Sequence, residues 1–211
     1  MERKRDERKR SWTFFRQWLK NPLAIAAISP SSKELAQKML KEIPRHGERL
    51  IELGAGTGVF TREILAQGYK PDNLLVLELN QALHLHLQEQ FPSVRVLCAD
   101  AQELDVVAKK SGFLSNGSVD AVISGLGMLS MGKSTQKAIL SAAFSVMNPQ
   151  GKFIQFTYGP TNPVASEVRK ELGLSSHRGG FTLWNMPPAV VYVLSRTRAK
   201  RMDPVKNKVI K

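Results

Sequence analysis

Three glycines at alternate positions carry the strongest chemical signal in this chain. They are Gly54, Gly56 and Gly58, within Leu50-Ile-Glu-Leu-Gly-Ala-Gly-Thr-Gly-Val-Phe-Thr61. A β-rich run leads into them and a helix-like stretch follows. Glycines at such a turn let the backbone pass close to a ligand and leave helix N-terminal N–H groups facing a polar or anionic group. An ordinary strand-to-helix turn uses the same residues, so the surrounding acids matter. Glu78 ends the next β-rich run, 20 residues after Gly58, where a carboxylate can accept both hydroxyls of a ribose. Dinucleotide-binding proteins use an acid in that place as well. Asp100 and Ala101 follow the third run, at a strand end where an adenine amino group needs an acceptor. Glu52, inside the glycine motif, suits a cationic amino-acid moiety, directly or through water. A buried Glu without a ligand would be costly.

The elements that must position these residues alternate in type. Strands are expected at Leu50–Leu53, Leu74–Leu77, Val94–Cys98, Ala121–Ser124 and Phe153–Thr157, with a closing pair near Phe181–Trp184 and Val190–Leu194. Helical periodicity covers Thr61–Gln67, Gln81–Gln90, Gln102–Lys109 and Lys133–Val146. This alternation predicts an α/β fold: a Rossmann-like, seven-stranded, mostly parallel sheet with helices on both faces. The last two strands lack a helix between them and predict an antiparallel hairpin at the sheet edge. Ser31-Ser-Lys-Glu34 reads as a capping box opening a helix over Lys33–Lys41, with Pro30 holding the preceding turn.

Charge is concentrated at the ends. The chain has 211 residues and a net charge of +13. Residues 1–20 hold eight Lys/Arg against three acids, and residues 196–211 hold seven against one. Such an excess points to a polyanionic partner, a membrane surface or a nucleic acid. Trp12, Phe15, Trp18 and Leu19 fall at helical spacing in the first segment, with Arg16 and Lys20 opposite. Aromatic and apolar residues on one face and cations on the other are what an in-plane membrane helix needs. A basic helix packing its stripe on the domain would show the same pattern. Nucleic-acid binding shares the charge without needing the two tryptophans on an apolar face. The expected organisation is a basic amphipathic membrane-binding helix over 1–21, a catalytic domain over 22–197, and a basic tail over 198–211.

The sequence excludes other classes. A composition of 42% hydrophobic residues supports a packed core and excludes a disordered chain. The single cysteine, Cys98, cannot form an internal disulfide, which favours a cytoplasmic location, and it reads as a small buried hydrophobe. No apolar run reaches the roughly 18 residues of a spanning helix, so membrane contact is expected to be peripheral. His84 and His86 lie on different helix faces and no ligand cluster completes a metal site, so no metal is expected.

Glu52, Gly54, Gly56, Gly58, Glu78 and Asp100 together resemble the motifs of class I S-adenosylmethionine-dependent methyltransferases. From Phe14 to about Arg196 the chain further resembles the bacterial phospholipid N-methyltransferases, which convert phosphatidylethanolamine toward phosphatidylcholine. That likeness rests on Ile28-Ser-Pro-Ser-Ser32, Ser124-Gly-Leu126, Gln155-Phe-Thr-Tyr-Gly-Pro160 and Asn185-Met-Pro-Pro-Ala189. It departs at Gly127, where family members commonly have Pro, and again at Gly132. The ribosomal RNA adenine dimethyltransferases look similar at the cofactor end but carry Asn-(Leu/Ile)-Pro-Tyr where this chain has Ser124-Gly-Leu-Gly127.

The resemblance implies S-adenosylmethionine as cofactor, held by Ser31, Glu52, Gly54, Gly56, Gly58, Glu78, Asp100 and Ala101. It implies an aminolipid substrate, ornithine lipid being a close substitute, at the inner face of the bacterial cytoplasmic membrane. No obligate protein partner is expected. A module that mainly binds or remodels membranes is the reading from another class. Methyl transfer from a sulfonium is an in-line displacement, so the amine must lose a proton and be aligned. Tyr158 and His177 are candidates to hold or remove that proton, and Ser124 and Asn185 to orient the amine. Arg178, then Lys133, are candidates for the lipid phosphate. Tyr158, Tyr192 and Trp184 offer aromatic faces to a methylated cation.

Overall fold

A computed structural model describes residues 30–158, 161–182 and 188–197. The expected helix with Trp12, Phe15 and Trp18, the tail over 198–211, and Trp184 and Asn185 lie outside the described residues. The sheet contains β1 (Leu50–Leu53), β2 (Leu74–Glu78), β3 (Arg95–Cys98), β4 (Val119–Ser124), β5 (Met147–Tyr158), β6 (Leu174–Thr182) and β7 (Ala189–Arg196), in the order β3-β2-β1-β4-β5-β7-β6. The first five are parallel, and β7 runs antiparallel to both β5 and β6. The predicted hairpin is therefore present, with β6 on the edge. The chain leaves β1 in one direction and returns to β4 on its other side, so the crevice beyond the carboxyl ends of β1 and β4 is the switch point where such sheets take ligands.

Burial on both faces explains why the central strands are apolar throughout. Every residue of β1 and β2 is buried. On one face Ile51, Leu53, Leu75, Val122 and Phe153 pack with helix α5 (Lys133–Val146) through Leu140, Ala143 and Phe144, and with helix α4 (Leu104–Lys110). On the other, Leu50, Val76, Ile123, Ile154 and Val193 pack with helix α1 (Pro30–Leu40) through Leu35, Ala36 and Met39, and with helix α2 (Val59–Ala66) through Phe60 and Ile64. Helix α3 (Gln81–Gln90) and the short helix α6 (Ser166–Glu171) complete the layers. Among the described residues no helix is long and apolar enough to cross a membrane.

Several expectations are corrected. Helix α1 begins at Pro30, so Ser31 lies inside its first turn rather than ahead of it. Proline lacks the N–H that a first turn leaves unpaired and its φ is already helical. Glu34, instead of closing a capping box, pairs with Lys38 at 3.0 Å. Strand β6 starts at Leu174 rather than near Phe181. Its Ser-Ser-His-Arg-Gly-Gly run carries no apolar alternation because it is an edge strand, with a bulge between Arg178 and Gly180. Cys98 is exposed, not buried, because β3 is the opposite edge; its thiol faces the Leu79 carbonyl at 3.7 Å.

One buried amide ties the loops at the carboxyl edge. Gln136, on α5, is 4% exposed. Its Nε2 donates to the carbonyls of Met128 (2.8 Å), Met131 (3.3 Å) and Pro163 (3.2 Å). Its Oε1 accepts the Ala165 N–H at 2.9 Å. The loop after β4 and the loop after β5 are thus fastened to one side chain. Gln136→Leu keeps the volume but strips these partners, and should cost about 2–4 kcal/mol in urea denaturation, since buried polar groups are left unpaired.

Candidate functional site

The glycine turn has the geometry its spacing predicts. Gly54, Gly56 and Gly58 have φ of 67°, 59° and 79°, the left-handed region that disfavours other residues. Space forbids side chains as well. A Cβ on Gly58 would lie 2.4 Å from a Phe91 ring carbon, and one on Gly54 2.7 Å from Leu126. The turn is tied to β2, because Glu78 Oε2 accepts the Gly56 N–H at 2.9 Å and Oε1 accepts that of Asn80 at 2.9 Å. Each oxygen takes a single bond there and keeps a second lone pair for another donor. Leu79, beside it and 65% exposed, offers an apolar surface at the mouth. Nothing in its type distinguishes it in the sequence.

Glu52 sits beneath this turn with no exposed surface. Thr61 donates to its Oε2 at 2.6 Å, while Oε1 has no hydrogen-bond partner among the described residues. Burial pushes its carboxyl up to about 7, with the Thr61 hydrogen bonds acting against the rise and the nearby Glu78 charge adding to it. A carboxyl so placed has one oxygen free to pair with a cation.

Asp100 holds a turn of its own. Its Oδ1 accepts the Gln102 N–H at 2.9 Å and its Oδ2 the Gln102 side-chain amide at 3.0 Å. Ala101 is buried at the same strand end. Both lie beyond β3, two strands from the glycine turn, where an adenine at the far end of a nucleoside would reach.

The loop after β4 packs directly on the glycine turn. The Gly125 N–H donates to the Leu53 carbonyl at 2.8 Å, and a Cβ on Gly125 would lie 2.6 Å from the Gly54 carbonyl oxygen. Ser124 is fully buried, with its hydroxyl accepting the Leu126 N–H at 3.3 Å. Its neighbour across the ladder is Gln155, also fully buried. Gln155 donates to the carbonyls of Leu126 (2.8 Å) and Phe156 (2.7 Å). A glutamine within an apolar strand is the signal that could have marked this residue alongside Ser124.

Tyr158 ends β5 on the opposite face of the sheet. Its ring meets Phe156 edge-on with centroids 5.4 Å apart, and Phe156 meets Phe60 at 5.8 Å. Burial raises the Tyr158 hydroxyl above its ordinary value.

Other candidates are not gathered here. His177 pairs with Val193 in the middle of β6, five residues before Thr182, which is level with Tyr158 through Ala189. The bulge takes up one residue, and through Val193 His177 is level with Ile154, four residues before Tyr158, so at about 3.3 Å per residue it lies roughly 13 Å back from the edge, too far to act on an amine there. Its ring is 3.9 Å from Glu42. Arg178 pairs with Tyr192, its Nε donating to the phenol oxygen at 3.3 Å. Lys133, at the start of α5, pairs at 3.0 Å with Glu167 of α6, whose carboxyl its own hydrogen bonds and Lys133 hold at about 2. Ser31 lies in the first turn of α1. Among the described residues no group of three His, Cys, Asp or Glu could hold a metal ion.

Comparison with known proteins agrees with this arrangement. A methyltransferase-domain family model matches residues 50–151, from β1 to the start of β5. An ornithine lipid N-methyltransferase of Singulisphaera acidiphila is 32% identical over 152 residues, 70% of this chain and 77% of that protein. Among solved structures, a TehB-like S-adenosylmethionine-dependent methyltransferase from Corynebacterium glutamicum superposes with a TM-score of 0.58 at 16% identity, covering 90% of this chain and 99% of that one. Magnesium protoporphyrin IX methyltransferase of Synechocystis, solved with its bound cofactor, gives 0.56 at 15% identity, covering 79% and 78%. The glycine turn, its two acids and the sheet order agree with these likenesses: the chain has the class I methyltransferase fold and belongs to the methyltransferase family that includes ornithine lipid N-methyltransferase.

Proposed function

We propose that this chain transfers methyl groups to the amine of a membrane aminolipid, an ornithine lipid or phosphatidylethanolamine with its mono- and dimethylated forms. The 32% identity to an ornithine lipid N-methyltransferase across most of both chains carries this reading. The methyl donor is S-adenosylmethionine. The residues present fit it: Glu52 keeps an unpartnered buried oxygen for an ammonium, the glycine turn excludes side chains, and Glu78 retains lone pairs for a ribose diol. When bound, it supplies a methyl carbon on a positively charged sulfur.

In this reading the protein contributes position. Glu78 and Asp100 take the ribose and adenine ends, and Glu52 the amino-acid end. Ser124 and the Gly125–Leu126 backbone, pressed onto Gly54, set where an amine meets the methyl group. Residues 1–21 serve as the membrane arm with Trp12, Phe15 and Trp18 toward lipid, and the basic ends toward anionic head groups, at the inner face of the cytoplasmic membrane. Lys133, at the start of α5, is the cation proposed to meet the acidic part of the head group.

Two outcomes follow. Labelled S-adenosylmethionine offered with anionic vesicles containing ornithine lipid or phosphatidylethanolamine should place label in lipid. Glu78→Ala should cut the activity at least tenfold by weakening cofactor affinity; label in added ribosomal RNA and none in lipid would overturn the reading. The second outcome concerns Glu52. Its folded carboxyl titrates near 7 against an ordinary 4.5, so the folded chain keeps a proton that the unfolded chain has lost. The resulting stability is fully present below about 4.5 and is lost as pH rises through 7. Glu52→Gln should therefore stabilise the ligand-free chain more at pH 8 than at pH 5, by at most about 3 kcal/mol in urea denaturation, while weakening cofactor binding.

A further inference from the structure

Phe60, Phe156 and Tyr158 are a connected set of rings at the edge of the site. Phe60 lies two residues past Gly58, in the first turn of α2, and reaches across to Phe156 near the end of β5. Ring centroids are 5.8 Å apart for Phe60–Phe156 and 5.4 Å for Phe156–Tyr158. Phe156 and Tyr158 are only partly buried, so part of this wall is open to a ligand. The rings share a sheet face with Glu52: Glu52, Ile123 and Ile154 are level across the ladder, and Phe156 and Tyr158 follow Ile154 at alternate positions. A second observation points the same way. Across the edge from Tyr158 the register runs to Ala189, whose methyl fills little space, and then to Thr182. The Thr182 hydroxyl is buried and has no hydrogen-bond partner among the described residues.

We propose that Phe60, Phe156 and Tyr158 form a seat for a methylated ammonium head group, and that this seat favours an amine already carrying methyl groups over an unmethylated one. The inference rests on the aminolipid reading above and adds a preference by methylation state. An unmethylated ammonium is strongly hydrated, and an aromatic wall offers its N–H groups no acceptors to replace the water. Each added methyl substitutes an apolar C–H surface for a hydrated N–H while the positive charge remains. The attraction of a cation to ring faces is kept and the desolvation cost falls. The seat therefore grips the mono- and dimethylated intermediates better than fresh substrate, and successive transfers proceed to completion. Thr182 supplies a hydroxyl donor at the far side of the notch, for an acceptor oxygen of the head group.

The test uses the full chain on phosphatidylglycerol vesicles containing phosphatidylethanolamine, its monomethyl form or its dimethyl form. For each lipid kcat/KM is measured for the unsubstituted chain and for Tyr158→Phe, Tyr158→Leu and Phe156→Leu. Cofactor affinity, by calorimetry, reports that each variant is folded. The unsubstituted chain should use the dimethyl lipid better than the unmethylated one. Tyr158→Phe, which keeps the ring, should hold that ratio within twofold, whereas the two leucine variants should lower it by about 2- to 30-fold. An unsubstituted ratio at or below one overturns the inference, as does a ratio unchanged in both folded leucine variants. If Phe156→Leu fails to bind cofactor, Tyr158→Leu at the partly exposed ring decides alone. If the unsubstituted chain methylates no aminolipid, the substrate reading fails first and this inference falls with it.

Discussion

A carboxyl group buried with one oxygen unpartnered is the constraint around which the rest of this fold is arranged. Glu52 occupies a central strand, paired on both sides, and no rearrangement of that strand could bring it to water without dismantling the sheet. Thr61 serves only one of its oxygens and leaves Oε1 bare, which is short of what an ionised carboxylate needs. The ligand-free chain answers by keeping the proton to about pH 7. A cation against Oε1 would remove the need for that proton. The glycine turn above it is equally constrained, because a Cβ at Gly54 or Gly58 would collide with Leu126 or Phe91.

The same crowding joins the glycine turn to the loop after β4. Gly125 fits against the Gly54 carbonyl only because it lacks a side chain, so the loop after β4 cannot move without moving the glycine turn. Two buried glutamines then fasten this loop from behind, Gln155 through the Leu126 carbonyl and Gln136 through those of Met128 and Met131. In the proposed reading an in-line transfer relies on this arrangement, with backbone held on both sides setting where donor and acceptor meet. Gly127 replaces the proline common in resembling sequences, and its φ of −74° is one that proline itself adopts. The loop therefore holds a proline-like conformation there without the ring, and its shape is secured by the amides instead.

What could be read from the sequence follows from how completely each element is buried. Leu50–Leu53 and Gln81–Gln90 are found at the bounds expected for them, as is Lys133–Val146, because paired faces or helical periodicity leave little choice. Strand β6 was obscured because an edge strand with a bulge needs neither alternation nor β-branched residues, and α6, six residues long, is too short to show a period. At the site, glycines and acids were legible because few residue types can do their work. Gln136, Gln155, Phe60 and Phe156 were not, since amides and phenylalanines acquire their roles only from what the tertiary fold places beside them. His177 was misplaced for the same reason: proximity in sequence to β5 says nothing about its position along an edge strand.

The edge that bears the site also bears the apolar groups suited to a lipid. Phe181, next to Thr182 on β6, is 49% exposed, and Leu129, in the turn after β4, is 44% exposed. Both lie toward the carboxyl end of the sheet, Leu129 beyond β4 and Phe181 on the edge strand β6, two strands over from β5. Lys133 stands at the start of α5 close to Leu129, so cation and apolar surface share this rim. Residues 21–195 contribute little of the +13 net charge, most of which comes from the two ends. In the proposed reading these parts divide the work. The charged ends draw the chain to an anionic surface over distances of about a Debye length, near 10 Å. Leu129 and Phe181 act only at contact, at the edge where an amine must enter. An orientation set by both leaves the head group facing the aromatic wall while its acyl chains stay in the membrane.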